Sequence, residues 1–408
     1  MRRLGLVLAT VLLLAAACTK DTATPEDTAV VVVNAPFSTA PSVAQPIERG
    51  ARLAVDQLNA KGGVTVGSSK VKLRIERMDD RGSAAAAAAN IKKAAEMKAV
   101  AVVAEGTGVD AGWQDAAQAG VPIGIVYQGG EDLVDLAARK NVFRIAPTNR
   151  GAAFRLAEYL LPKGLRVALL HDDSPYGAGG GQALGKAFAR NRSQVAADLT
   201  TSAAPGADPA PDVLKARQSG ATALLVWATP QVLAATIRAA RSAGWNVPVY
   251  ASTTGEDPLV RQQLAAHPDW LDGLTFVSSR LTSEKGTAPF EAFRRAYEET
   301  YGPEKAGVKS AGKDVVLPPD WAMYSYDFVN VVADAMRRAS AAQASAELVT
   351  LMEQTEIRGA NGDERGFNTK NHEGVVDDDV FFAVFKDMVW QPVKDDPLSA
   401  TLPAIPQT

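Results

Sequence analysis

Short apolar runs alternate with amphipathic or alanine-rich segments along almost the whole chain, and the alternation restarts once near its middle. Residues 29–34 (AVVVVN) read as a buried strand, 47–60 as a helix with Ile47, Ala51, Val55 and Leu58 on one face, and 70–78 as an alternating strand. Helix 84–98, strand 100–104, helix 110–120 and strand 122–127 follow. Repeated β-α-β order implies a mostly parallel sheet covered by helices on both faces, because parallel neighbours need a long crossover between them. After strand 143–146 the order begins again with helix 150–161, strand 166–171, helix 178–191, strand 195–199, helix 212–219, strand 223–227, helix 231–243 and strand 247–250. The fold class is therefore α/β, with two doubly wound parallel-sheet lobes. Helices 289–301, 321–339 and 346–354 and a hairpin of 380–385 with 389–393 close the chain. The proline-rich stretches 205–211 and 303–319 read as exposed loops, and 395–408 as a loosely held tail.

The first residues obey a different logic. Arg2 and Arg3 precede the apolar run 4–14, which is too short to span a bilayer comfortably, and Ala15-Ala16-Ala17 lead into Cys18. This layout predicts a signal peptide over 1–17, with Cys18 lipidated as the first residue of the mature chain. A simple cleaved signal and an uncleaved anchor are the alternatives. Residues 18–28 are then a polar tether lifting the domain off the membrane. Cys18 is the only cysteine, so disulfides and thiolate metal sites are unavailable to the folded part. Losing Arg2 and Arg3 takes the 43 basic residues to 41 against 46 acids, a net charge of −5; no nucleic acid or other polyanionic partner is implied. With 47% hydrophobic residues, the roughly 380 positions from Ala29 onward suffice for two domains.

Catalytic patterns are weak. The histidines His171, His267 and His372 form no spaced pair for a metal, and no Gly-x-Ser-x-Gly elbow occurs. His171-Asp172-Asp173 ends a strand, where polar residues commonly cap the next loop. The run YGAGGGQ (176–182) has Gln182 where a dinucleotide loop counted from Gly177 needs its third glycine, and it lacks a phosphate-loop lysine. No cofactor is implied.

Four stretches, in their order and spacing, carry a resemblance: GARLAVDQLNAKGGV (50–64), RMDDRGS (77–83), NVFRIAPTN (141–149) and VALLHDDSPYGAG (167–179). Together they resemble the type I periplasmic binding proteins of the branched-chain amino acid (Leu/Ile/Val-binding) family. The resemblance implies three crossings between the lobes, near Ala146, Ser278 and Gly366. Lobe 1 would then hold 29–146 and 279–365, and lobe 2 would hold 147–278 and 366–394. It also implies a ligand beyond the carboxyl ends of the strands, near helix N-termini suited to a carboxylate.

The same resemblance nominates site residues. Thr107 would hold a carboxylate and Tyr176 would face the ligand from the other lobe. Tyr127 and Gln128 stand where the family shows an Ala-Thr pair, with Gly129 falling about where the Thr would be. Trp227 could offer a flat wall. Thr253 replaces the family's ammonium-pairing acid, leaving Glu256 as the nearby carboxylate, and Ser38, with Phe37 and Thr39, borders the site in the first loop. The function so implied is a monomeric, lipid-anchored, extracytoplasmic solute-binding protein of an ABC importer, handing an amino acid or related small polar metabolite to a membrane permease. A ligand sensor of the same fold and a lipoprotein enzyme are the other readings.

Overall fold

The computed structural model describes residues 28–190, 195–278, 288–317, 319–340, 346–375 and 380–401. Cys18 and the expected signal segment lie outside them. The first sheet is built from β1 (Thr28–Ala35), β2 (Val64–Val66), β3 (Ser69–Asp79), β4 (Ala101–Ala104), β5 (Ile123–Ile125) and β6 (Val142–Arg144), in the order β2-β3-β1-β4-β5-β6. Its helices are α1 (Pro41–Ala60), α2 (Ala84–Glu96) and α3 (Val109–Gln118). Only β2 runs antiparallel to its neighbour. The valines of β1 show why the run is continuously apolar: Val31 and Val33 enter the core shared with α1, while Val32 points the other way, toward Ile91 of α2 and Val109 of α3. A sheet covered on both faces needs apolar side chains at every position of a central strand.

The second lobe follows through α4 (Asn149–Leu160), β7 (Val167–Asp172), α5 (Pro175–Arg190), β8 (Val195–Thr201), α6 (Ala210–Gln218), β9 (Ala223–Trp227), α7 (Pro230–Ser242), β10 (Val249–Ala251), α8 (Pro258–Gln263) and β11 (Thr275–Ser278). The chain then gives α9 (Ala288–Tyr301), the hairpin β12 (Glu304–Ser310) and β13 (Lys313–Leu317), α10 (Asp320–Arg338), α11 (Ala346–Met352), and the hairpin β14 (Glu356–Arg358) and β15 (Glu364–Gly366). It ends with β16 (Phe381–Lys386) and β17 (Val389–Pro392), which extend the second sheet to β17-β16-β11-β10-β9-β7-β8. β16 and β17 are its antiparallel strands. Leu224 and Val226 of β9 face α7 and α8, and Leu225 and Trp227 face α4 and α5, repeating the two-sided burial of β1.

Three expectations are corrected. The stretch 303–319 is not a loop but largely the β12–β13 hairpin, and that hairpin does not stay with the first lobe. Ala306, Val315 and Leu317 join the second lobe's core, and the Gln262 amide donates to the Ala306 carbonyl at 3.0 Å. The flanking helices belong to the first core through Phe290, Tyr297 and Trp321, so the chain passes between lobes on both sides of the hairpin as well. The last crossing falls later than Gly366: Phe367 and Val375 pack in the first core, and the Arg144 N–H donates to the His372 carbonyl at 2.8 Å. By Phe381 of β16 the chain is in the second lobe's core. Finally, 395–401 is not loose. Arg155 of α4 reaches the Asp396 carboxylate at 3.0 Å, and the Tyr159 hydroxyl donates to Asp395 at 2.8 Å.

Candidate functional site

The carboxyl ends of β1, β4 and β5 in one lobe and of β7, β9 and β10 in the other open onto a shared cavity of about 410 Å³. Each strand delivers its next residues there: Pro36 and Thr39 after β1, Glu105 after β4, Tyr127 to Gly129 after β5, Tyr176 after β7, Thr229 and Gln231 after β9, and Thr253, Thr254 and Asp257 after β10. Trp321 enters from the start of α10 and Gln262 from α8. This is where doubly wound sheets place ligands, because loop backbone there is freed from the sheet while the strands hold it still.

Four aromatic rings wall the cavity as one pair from each lobe. Tyr127 and Trp321 meet edge to face with centroids 4.7 Å apart, and Tyr176 and Trp227 lie tilted at 6.0 Å. Such pairs offer flat apolar surface at little conformational cost. Burial, reinforced by the charges of Asp257, Glu105 and Glu256, pushes the Tyr127 phenol well above its ordinary pKa. Burial likewise raises Tyr176 to about 12, although bonds from Ser252, Thr253 and Thr254 act against it. Both phenols are neutral hydrogen-bonding groups at any physiological pH. The Tyr176 hydroxyl lies 3.2 Å from the Thr253 hydroxyl.

The polar floor on the first-lobe side is organised by Glu105, which is 6% exposed. Its carboxylate accepts the Thr107 backbone N–H at 3.0 Å and the Gln128 side-chain amide at 3.1 and 3.2 Å. The same Gln128 amide donates to the Thr107 hydroxyl at 2.8 Å. Behind this group, Arg144 at the end of β6 donates to the Gln128 and Gly130 carbonyls, fixing the loop that carries Gln128. On the other side, the buried Asp172 accepts the Thr229 N–H at 2.6 Å and the Ser174 N–H at 3.2 Å. It ties two second-lobe loops together, as a strand-end cap does.

Of the residues singled out from the sequence, Tyr127, Gln128, Tyr176, Trp227 and Thr253 line the cavity. Thr107 does not; its hydroxyl is turned to Gln128. Ser38 is exposed and outside the lining, its N–H donating to Asp79 at 3.3 Å, while Thr39 of the same turn and Ser42 at the start of α1 take the place at the wall. Glu256 stands behind the wall: its carboxylate accepts the Ser278 hydroxyl at 2.9 Å and borders only a side recess of about 10 Å³ shared with Tyr127 and Thr253. Gly129 is required sterically. A Cβ there would sit 2.7 Å from the Asn149 backbone nitrogen, so no threonine fits.

Glu105, Asn149, Asp257, Gln262 and Trp321 are lining residues that sequence reasoning passed over. The available signal for Glu105 was an acid directly ending the fully apolar strand AVVA. For Trp321 the signal is an aromatic at the first turn of a helix following two prolines.

A sequence profile of the periplasmic binding protein family matches residues 31–387. The chain belongs to that family. The resemblance read from four sequence stretches is thus borne out at the level of family and fold, and the family's name places its members outside the cytoplasm. Among solved structures, a type 1 periplasmic binding protein of Bordetella pertussis is similar, with 20% identity over 90% of this chain and 100% of that one and a TM-score of 0.78. A branched-chain amino acid transporter substrate-binding protein of Streptococcus pneumoniae, solved with isoleucine, shares 20% identity over 89% and 98%, with a TM-score of 0.72. A solute-binding protein of an ABC transporter from Rhodopseudomonas palustris, solved with 3,4-dihydroxybenzoic acid, shares 16% over 88% and 94%, with a TM-score of 0.69. No curated protein matches the sequence significantly. Among the described residues, no helix is long and apolar enough to cross a membrane.

Proposed function

We propose that this chain is the solute-binding subunit of an ABC importer, anchored through a lipid on Cys18, which captures an amino acid or related small polar metabolite between its lobes and performs no chemistry on it. The observation that carries the reading is the interlobe cavity of about 410 Å³, whose aromatic pairs come from both lobes and so close on a ligand only when the lobes approach. Ligand contacts made by both lobes favour the closed form by mass action. Relatives of this fold have been solved with an amino acid and with an aromatic acid, so the fold leaves the solute class to the lining residues. Mass spectrometry of the small molecule that co-purifies with the protein, followed by calorimetry with that compound, tests the proposal. A bound solute returned unchanged after incubation supports capture and delivery. Turnover of the solute, or no solute bound under any condition, refutes it.

A further inference from the structure

The first-lobe side of the cavity has a polarity that its donors and acceptors determine. A ligand carboxylate held beside Thr107 would need N–H groups, and the two amide donors there already point at an acid: Thr107 N–H and the Gln128 amide both donate to the Glu105 carboxylate, and the Gln128 amide also donates to the Thr107 hydroxyl. Glu105 thus occupies the position an incoming carboxylate would seek and adds its own negative charge. Its hydrogen-bond donors are all neutral, and the nearby buried Asp80 makes the surroundings more negative still. Beside it stands the Tyr127–Trp321 pair, and aromatic faces attract cations as carboxylates do.

Taking the cavity as the solute site, we propose that Glu105 is the anchor for a positively charged ammonium group, so that the solute is an ammonium-bearing small molecule with its cationic end in the first lobe. The polarity is the reverse of the one in which Thr107 receives a carboxylate. A buried carboxylate held by neutral donors gains a charged hydrogen bond when an ammonium arrives, and a carboxylate ligand would instead place two like charges together.

The test uses two matched trios: phenethylamine, phenylalanine and phenylacetate, and isoamylamine, leucine and isovalerate. Calorimetry against the full chain is expected to show binding by at least one amine or amino acid and none by the acids. Glu105→Gln, which preserves the side chain's shape, is expected to weaken that binding by at least about tenfold. Glu105→Asp keeps the charge and is expected to retain the preference for ammonium over acid, which separates loss of charge from loss of fold. Binding of either acid, silence from all four ammonium compounds, or an affinity that Glu105→Gln leaves unchanged overturns the anchor. The co-purified solute decides the importer reading independently, since an acid captured and returned unchanged would leave that reading standing.

Discussion

Arg144 joins three parts of the molecule with one guanidinium, and removing it should cost more than its ion pair alone. Its side chain is 1% exposed. It bonds Glu373 bidentately at 2.7 and 2.5 Å and donates to the Gly130 carbonyl at 2.6 Å and the Gln128 carbonyl at 3.2 Å. Breaking a buried pair by deleting one partner costs about 3–5 kcal/mol. The Glu373 side chain is 25% exposed and keeps some water, so its stranding belongs at the low end, about 3 kcal/mol. The two carbonyls left without a donor add on the order of 1 kcal/mol each. Arg144→Met should therefore destabilise by about 5 kcal/mol, whereas Glu373→Gln leaves the buried Arg144 its two carbonyl acceptors and an amide oxygen in place of the carboxylate and should cost about 2–3 kcal/mol. Urea unfolding followed by tryptophan fluorescence reads both values. Equal costs for the two variants would refute the claim that Arg144 holds the Gln128 loop as well as the returning segment.

Three further outcomes follow from the same contacts. Burial, together with the charges of Glu105 and Asp79 and against a bond from Gly82, raises Asp80 from 3.8 to about 6. The folded state then binds more protons between those values, so Asp80's contribution to stability is fully present below its unfolded pKa and is lost as pH rises through about 6. Asp80→Asn should flatten that slope and stabilise the protein by on the order of 2 kcal/mol at about pH 8, measured by urea unfolding across a pH series; an unchanged slope would contradict the assignment. At Gly180 a Cβ would lie 2.1 Å from Trp227 Nε1, so Gly180→Val should push Trp227 out of the wall, costing about 1–3 kcal/mol and weakening ligand binding. Wild-type affinity in that variant would show that Trp227 is not a wall. Cys18→Ser should leave the fold intact and move the protein from the membrane to the soluble fraction, and equal membrane retention of both would rule out the lipid anchor.

Periodicity located the strands and helices that bury two faces or one long stripe. The sequence limits of β9 match its observed ones, and the restart after the first sheet corresponds to the second lobe. Helix α1 was read from Ile47 because its apolar face is evident only from there, while the helix itself begins at Pro41, a residue suited to a first turn. β11 (TFVS) has only Phe276 and Val277 between two polar residues, so no apolar run marks it. The β12–β13 hairpin was missed because its flanking prolines signal a loop, and nothing local says that Ala306 and Leu317 will pack on the opposite lobe. In the site, strand-end positions were legible because the fold puts loops there. Which way Thr107 and Glu256 turn was not, because that depends on Gln128 and Ser278, partners 21 and 22 residues away.

Closure of the two lobes on a solute is the central claim, and small-angle X-ray scattering of the protein with and without its co-purified solute tests it most directly. The account predicts a smaller radius of gyration at saturating solute than in the solute-free protein. An identical scattering curve in the two states, with calorimetry showing the site filled, would contradict it.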